Sequence, residues 1–485
     1  MKYNIPLINR KLWSSYLVQN SFWGLAATIS QSIFLTLFFI VLAREYSTSQ
    51  FANFLIASAV YQIIVSFSSM GLGQWFIREY KLQSQRTIFL NKFIKIQLSL
   101  GIAFYIVNIC AAFILYPKGE IRLLILILGT NIIFDNLIYS FRNLNIAESN
   151  QVKSAKILFF DGLYKLAVSC ILFIYPVSIT VLSTLLVIVR LITINAFFKQ
   201  ATGQINSILS LLKCKISFDD FKKQIFLNWY FVVIGSVSII YWRLSNILIS
   251  KILQPEDVVN FEIAFKILSV FLLVPTAVST TLFPMFIKLF QSGELQKARS
   301  YYHNTFFAYL IYSLLAFAFI YSFGDEIVTI AFGDRYSNAS QSVRLMFLSI
   351  IVFPTIFLQA NMIIAMKMEK SDMYFNIIAL ALHLLISLIG LYFYKSLDII
   401  YFSILASFIT FHILQDILLI RKGYTSAGKS ILVYFISVLF VLIYQYLAEN
   451  YNQYIIFFAV SAVLITIFSF FSVKTFLQDN AVTSS

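Results

Sequence analysis

Unbroken apolar runs of roughly 20 residues, separated by short polar breaks, recur along the whole chain. Read against those breaks, the pattern predicts about fourteen spans, near 17–43, 51–72, 96–116, 121–141, 157–175, 177–198, 225–249, 260–287, 303–323, 342–366, 373–394, 399–420, 430–448 and 454–473. Strands of a membrane barrel alternate polar and apolar positions. Runs such as Ile121–Phe134 and Ile455–Phe471 do not alternate, so a barrel is excluded. Composition agrees: of 485 residues 60% are hydrophobic, 12% are charged and 51 are Phe, with a mean hydropathy of +0.84. A soluble core cannot use that much apolar surface. The predicted class is an all-α polytopic membrane protein.

The formal charge of +15 would raise the question of nucleic acid in a soluble chain. Here its distribution matters more than its sum. With the N-terminus in the cytoplasm, the inside segments hold about 25 Lys and Arg, including Lys2, Arg10, Lys11, Arg78, Arg142, Lys213, Lys215 and Lys288. The outside segments hold about six: Arg44, Lys118, Arg122, Lys251, Arg335 and Lys395. Retention of cations on the cytoplasmic side then places both termini there, and dropping one span would mix the two sets. The first apolar run is longer than a signal-peptide core and has no small-x-small cleavage site at a suitable distance, so it reads as a retained span.

An internal repeat organises the chain. Asn53-Phe54-Leu55-Ile56-Ala57 follows the first span, and Asn260-Phe261-Glu262-Ile263-Ala264 follows the seventh, 207 residues later. Arg44 falls opposite Lys251, and Phe76-Ile77-Arg78 opposite Phe286-Ile287-Lys288. Two six-helix halves related by an axis along the membrane normal are expected, at 1–200 and 201–425, around a central cavity. Residues 426–485 add two further spanning helices and a cytoplasmic tail.

The longest polar stretch, Lys199 to Lys223, is too short for a globular domain, and no phosphate-binding loop, H-E-x-x-H, C-x-x-C or G-x-S-x-G motif occurs. Cys110, Cys170 and Cys214 show neither a disulfide framework nor metal spacing. The expectation is a transporter without cofactor or metal rather than an enzyme.

Ionisable side chains in mid-span cost about 2.5–3.5 kcal/mol each on insertion scales and normally face a bundle interior or wet cavity. They are Asp135, Asp161, Lys165, Arg190, Arg243, Glu262, Lys266, Arg344, His383, His412 and Asp416. Asp161–Lys165 and Glu262–Lys266 have the acid-to-base i,i+4 spacing that stacks side chains on one helix face. Such pairs either neutralise each other for insertion, or line a cavity and exchange a partner for a proton or an anionic substrate. Arg190, Arg243 and Arg344 have no acid at i±3 or i±4. They either face the cavity, pair with another helix or, for Arg344 near its span end, snorkel. The histidines read as helix–helix hydrogen-bonders, and Asp135 and Asp416 as structural carboxylates that reach water near cytoplasmic span ends. Pro275 and Pro284 are expected to interrupt span 8, and Pro354 span 10.

The chain resembles the polysaccharide and O-antigen flippases of the multidrug/oligosaccharidyl-lipid/polysaccharide exporter superfamily. The resemblance lies in Tyr241-Trp242-Arg243-Leu244-Ser245-Asn246, Asn260 to Ile267, Thr281-Leu282-Phe283-Pro284-Met285-Phe286 and Phe332-Gly333-Asp334-Arg335-Tyr336. These are similar to the family's Tyr-x-Arg-x-Asp, Tyr-x-x-Ala-x-Lys, Leu-Phe-Pro and Phe-Gly-x-x-Tyr patterns in that order. Leu42-Ala43-Arg44 and Met70-Gly71-Leu72-Gly73 echo them in the first half. Ser245 stands where the pattern most often has Asp, and Phe261 where it has Tyr, while Arg243 and Lys266 match.

The resemblance implies translocation of an oligosaccharide linked to undecaprenyl pyrophosphate, such as an O-antigen or capsule repeat unit, from the inner to the outer leaflet of a bacterial cytoplasmic membrane. Partners would be membrane lipids, a glycan polymerase and other assembly proteins, without nucleic acid. A pyrophosphate cannot cross hydrocarbon unaided, so a pathway needs fixed cations, ideally Arg for its bidentate geometry. Lys165, Arg190, Arg243, Lys266 and Arg344 are the expected substrate-binding set. Asp161 and Glu262 are the expected ion-coupling carboxylates of an alternating-access cycle driven by an ion gradient. A multidrug exporter of organic cations, from the same superfamily, would instead want acids in its cavity.

Overall fold

The computed structural model describes residues 16–201 and 218–483. Lys2, Arg10, Lys11, Lys213, Cys214 and Lys215 lie outside the described residues. The rest is helical, and every predicted span falls on a helix or a broken pair of helices. The chain is a multi-pass membrane protein. Among the described residues, eleven segments have the length and composition to cross a bilayer. The first, fifth and seventh predicted spans are also helical, although the fifth carries Lys153, Lys156, Asp161 and Lys165.

In chain order the first compact unit, Met1–Val259, holds α1 (Tyr16–Glu45), α2 (Thr48–Ser68), α3 (Leu72–Tyr80), α4 (Arg86–Leu115), α5 (Glu120–Gly129), α6 (Asn131–Ala147), α7 (Gln151–Cys170), α8 (Ile179–Gln200) and α9 (Phe218–Ile252). Its core includes Leu72 and Phe76 from α3, Phe93 from α4, Phe141 from α6 and Phe197 from α8, with the Phe76 and Phe93 rings stacked at 4.2 Å. Helix α1 lies along α7, where Phe34 meets Phe159 edge-on and a side chain at Gly162 would come within 3.1 Å of Phe34. Helix α9 packs on α2, with the Ser236 hydroxyl donating to the Ser66 carbonyl at 3.0 Å. At its C-terminal end Ser250 and Tyr116 share a hydroxyl hydrogen bond of 2.6 Å, and Lys251 donates to the Leu115 carbonyl.

The second unit, Asn260–Ser485, takes in most of α10 (Pro255–Phe271), then α11 (Leu273–Gln291), α12 (Leu295–Phe332), α13 (Ala339–Phe347), α14 (Phe353–Ala365), α15 (Glu369–Tyr394), α16 (Asp398–Arg421), α17 (Ala427–Asn450) and α18 (Gln453–Thr483). Leu282, Phe286, Tyr302, Leu358, Met362 and Leu419 form its main core. The α17–α18 hairpin is seated on α12 by Tyr444. Its buried hydroxyl meets the Ser322 hydroxyl at 2.6 Å and the Ala318 carbonyl at 3.1 Å.

Helix breaks occur in both units. Helices α2 and α3 are separated by a left-handed turn at Met70 (φ 49°) and Gly71 (φ 63°), and α10 and α11 by a break at Leu272. Spans 4 and 10 are both composite: α5 gives way to α6 at Thr130, and a 3₁₀ turn at Leu348–Ile351 joins α13 to α14. Pro354 sits in the first turn of α14, where a proline needs no helical donor. Pro284, by contrast, lies inside a continuous α11 and interrupts nothing.

Candidate functional site

Four charges from three helices meet inside the first unit. Arg190 of α8 forks between two carboxylates: Nη1 lies 3.0 Å from Asp161 Oδ1 on α7, and Nη2 lies 3.0 Å from Asp135 Oδ1 on α6. The second Asp161 oxygen receives Lys165 Nζ at 2.7 Å from one turn along α7. Thr193, one turn beyond Arg190, donates to Asp161 Oδ1 at 2.8 Å, and Tyr61 of α2 donates to Asp135 Oδ2. Two carboxylates thus balance two cations, and every carboxylate oxygen has a donor.

The Asp161 side chain is fully buried, whereas Arg190, Asp135 and Lys165 keep 17%, 16% and 14% of their side-chain exposure. The edge of the cluster is open while its centre is not. Each cation already holds a carboxylate. An incoming anion must therefore compete with Asp135 and Asp161, and a proton on either carboxylate weakens that competition.

Of the roles the sequence left open for Arg190, the structure shows pairing with other helices: α6 and α7 supply the acids that α8 lacks. Asp135 is a full member of the cluster rather than a peripheral carboxylate. Tyr61 and Thr193 carried no signal in the sequence, because a neutral hydroxyl in an apolar run looks like ordinary packing. Asp135 could have been paired with Arg190 by charge balance, but their 55-residue separation offers no local spacing to read.

The other candidates stand elsewhere. Arg243 lies half-buried on α9 of the first unit, just before the buried pair Ser245 and Asn246. Glu262 and Lys266 stack on α10, with Glu262 buried and Lys266 half-buried. Arg344 on α13 donates to Asp325 of α12 at 2.7 Å and lies over the Tyr321 ring at 5.2 Å. Its partner Asp325 is 53% exposed, so the pair lies at the surface. His383 bonds to Ser403 across α15 and α16 at 2.9 Å. Asp416 does not reach water as the sequence suggested: it is 4% exposed, inside the second unit. Among the described residues, no group of three or more His, Cys, Asp or Glu side chains converges to hold a metal ion.

Comparison with known proteins adds two findings. The fold is similar to that of the lipid II flippase MurJ in an inward closed conformation, with a TM-score of 0.69 at 15% identity over 91% of this chain and 98% of that one. It is also similar to an inward-facing multidrug resistance MATE transporter, with a TM-score of 0.68 at 12% identity over 82% and 96% of the chains. A transporter of the same superfamily from Pyrococcus furiosus gives a TM-score of 0.58 at 13% identity over 84% and 95%. Identities this low speak for the fold alone. No curated protein matches the sequence. The family model described as "Polysaccharide biosynthesis protein" matches residues 17–290, more than half of the chain. The chain belongs to that polysaccharide biosynthesis family.

Proposed function

We propose that this protein is a flippase that carries a polyprenyl-pyrophosphate-linked oligosaccharide from the inner to the outer leaflet of a bacterial cytoplasmic membrane. It works by alternating access coupled to an ion gradient, with both termini in the cytoplasm and the two repeats at 1–200 and 201–425. The prenyl tail stays in lipid, and fixed cations accept the head group: Lys165, Arg190 and Arg243 on the first unit, Lys266 and Arg344 on the second. Glycan polymerase and other assembly proteins are the natural partners of that step.

One observation carries the reading: Arg190 and Lys165 are held side by side on α8 and α7 by carboxylates that a proton can neutralise. Protonating Asp161 takes the cluster from net zero to +1 and frees Lys165 and one arm of Arg190 for a pyrophosphate, which prefers the planar fork of arginine. Loss of the proton restores the internal pairs and expels the head group. Proton and head group then move outward together, so the drive is the membrane-potential part of the ion gradient and not an inward flow of protons. Their net negative charge is driven outward by an inside-negative potential worth roughly 2.3 kcal/mol per charge per 100 mV. Glu262 beside Lys266 offers the same chemistry on α10.

The test is flipping of a labelled lipid-linked oligosaccharide by purified protein in liposomes, with and without an imposed potential. Replacing Arg243 or Lys266 by Ala should abolish surface glycan export while the protein stays in the membrane, and normal export in both variants would sink the assignment. The fold shared with a MATE transporter supports a second reading, an exporter of organic cations. That reading predicts drug resistance on overexpression, and the paired cations of the cluster speak against it.

A further inference from the structure

A second buried polar cluster lies in the core of the second unit and shares no residue with the proposed head-group and ion-coupling set. His412 and Asp416 stack one turn apart on α16, both buried, with Nδ1 3.4 Å from Asp416 Oδ2. Gln359 of α14 donates to Asp416 Oδ1 at 2.6 Å. Oδ2 itself has no hydrogen-bond partner among the described residues. The imidazole is held on both sides: Nε2 lies 3.0 Å from Thr355 Oγ1 of α14, and Nδ1 hydrogen-bonds the Tyr434 hydroxyl of α17.

The hydrogens can be assigned. Thr355 donates its single hydroxyl hydrogen to the Val352 carbonyl at 2.7 Å, so its oxygen accepts from Nε2–H of His412. Nε2 is therefore protonated in the neutral ring, and Nδ1 is the acceptor, taking the Tyr434 hydrogen. In that state Asp416 is an ionised carboxylate with one bare oxygen, sealed from water. A buried charge without a balancing partner is costly, and one proton removes the cost.

We propose that His412 and Asp416 form a proton-binding dyad of the second unit whose occupancy controls the grip of α16 on α17. One proton bound takes the dyad from −1 to 0. With the proton on Nδ1, the imidazolium donates to Asp416 Oδ2, and the Tyr434 hydroxyl loses its acceptor. With the proton absent, Tyr434 donates to Nδ1 and ties the two helices together. Tyr434 also lines an apolar cavity of about 170 Å³ whose other walls include Ile351, Val352, Leu405 and Ile409.

The surroundings hold few other charges. Tyr302 of α12 touches Gln359 at 3.4 Å, and His303 follows it. Residues 348–351 and α14 carry no titratable side chain. Asp372 of α15 is held by Gln415 and Asn376, each at 3.1 Å. Arg344 of α13 is paired with Asp325. Lys429 lies on α17, near its start.

The experiment uses the full chain in nanodiscs and is independent of any transported substrate. Infrared difference spectra and proton uptake across a pH series should show one protonation step that is lost in Asp416→Asn and in His412→Gln. In Tyr434→Phe it should persist with a shifted midpoint. Nitrogen NMR of the wild-type protein carrying labelled histidine should show His412 as the Nε2–H tautomer when neutral, a readout that no folding defect of a variant can disturb. An Nδ1–H tautomer, or a proton uptake unchanged in both Asp416→Asn and His412→Gln, would overturn the proposal.

Discussion

The Tyr312 hydroxyl donates to the carbonyl of Phe271 at 2.6 Å, across from α12 to the last residue of α10. Four residues on from Phe271 is Pro275, which has no N–H to give that carbonyl. The tyrosine therefore supplies the hydrogen bond that the proline withholds, at the place where the eighth span bends. One turn earlier, Tyr309 donates to the Pro275 carbonyl at 3.0 Å.

Tyr312→Phe should destabilise the second unit by about 1–3 kcal/mol, the cost of a buried acceptor left without a donor. The same change in a Pro275→Ala background should cost much less, because an alanine at that position restores the helical N–H. Thermal unfolding of the four proteins of this cycle measures the difference. Equal costs in both backgrounds would show that the hydroxyl does not answer the proline.

Arg190→Met removes the single cation shared by Asp135 and Asp161 and leaves the buried Asp161 and the half-buried Asp135 with only Lys165 between them. A loss of about 3–5 kcal/mol is expected. Adding Asp135→Asn to Arg190→Met should recover much of it by restoring neutrality. Denaturation in detergent, read by tryptophan fluorescence, checks both.

Gly101 of α4 faces the backbone of α6: a Cβ there would fall 2.9 Å from the Ile133 Cα. A helix backbone cannot swing aside as a side-chain tip can, so Gly101→Leu should cost at least about 1–3 kcal/mol and displace α4. Purified yield and melting temperature report the outcome, with Gly235→Ala, whose Cβ would meet nothing within 4 Å, as the control.

Arg344→Gln should leave stability almost unchanged, because its partner Asp325 is half-exposed and such pairs contribute about 0–1 kcal/mol. Tyr444→Phe should matter more, about 1–3 kcal/mol, since it strips the buried hydroxyl that seats the α17–α18 hairpin on α12. Limited proteolysis between α16 and α17 would register the looser hairpin.

The spans were legible because a bilayer demands long apolar runs, and both five-residue copies, Asn53–Ala57 and Asn260–Ala264, lie in the first turns of a helix. The helix breaks were only partly so. Pro275 marks a real bend, but Pro284 does not, and nothing in the apolar pattern announces the 3₁₀ turn at Leu348–Ile351. Asp161–Lys165 was readable from its spacing within one helix. The carboxylate partners of Arg190 depend on how α6, α7 and α8 pack, which is a tertiary property, and the hydroxyls of Tyr61, Thr193 and Tyr434 give no sign of their role until a charge or ring is seen beside them.

The neutral quartet has a consequence for how the chain is made. Asp161 of α7 travels with Lys165 one turn away, but Asp135 of α6 has its nearest cation on that helix, Arg142, two turns along. Its ion-pair partner belongs to α8 and is synthesised 55 residues later. Until then the growing bundle holds a carboxylate without that partner, so a ribosome stalled between Cys170 and Ile179 would leave an intermediate that the quality-control proteases of the cell should recognise and remove.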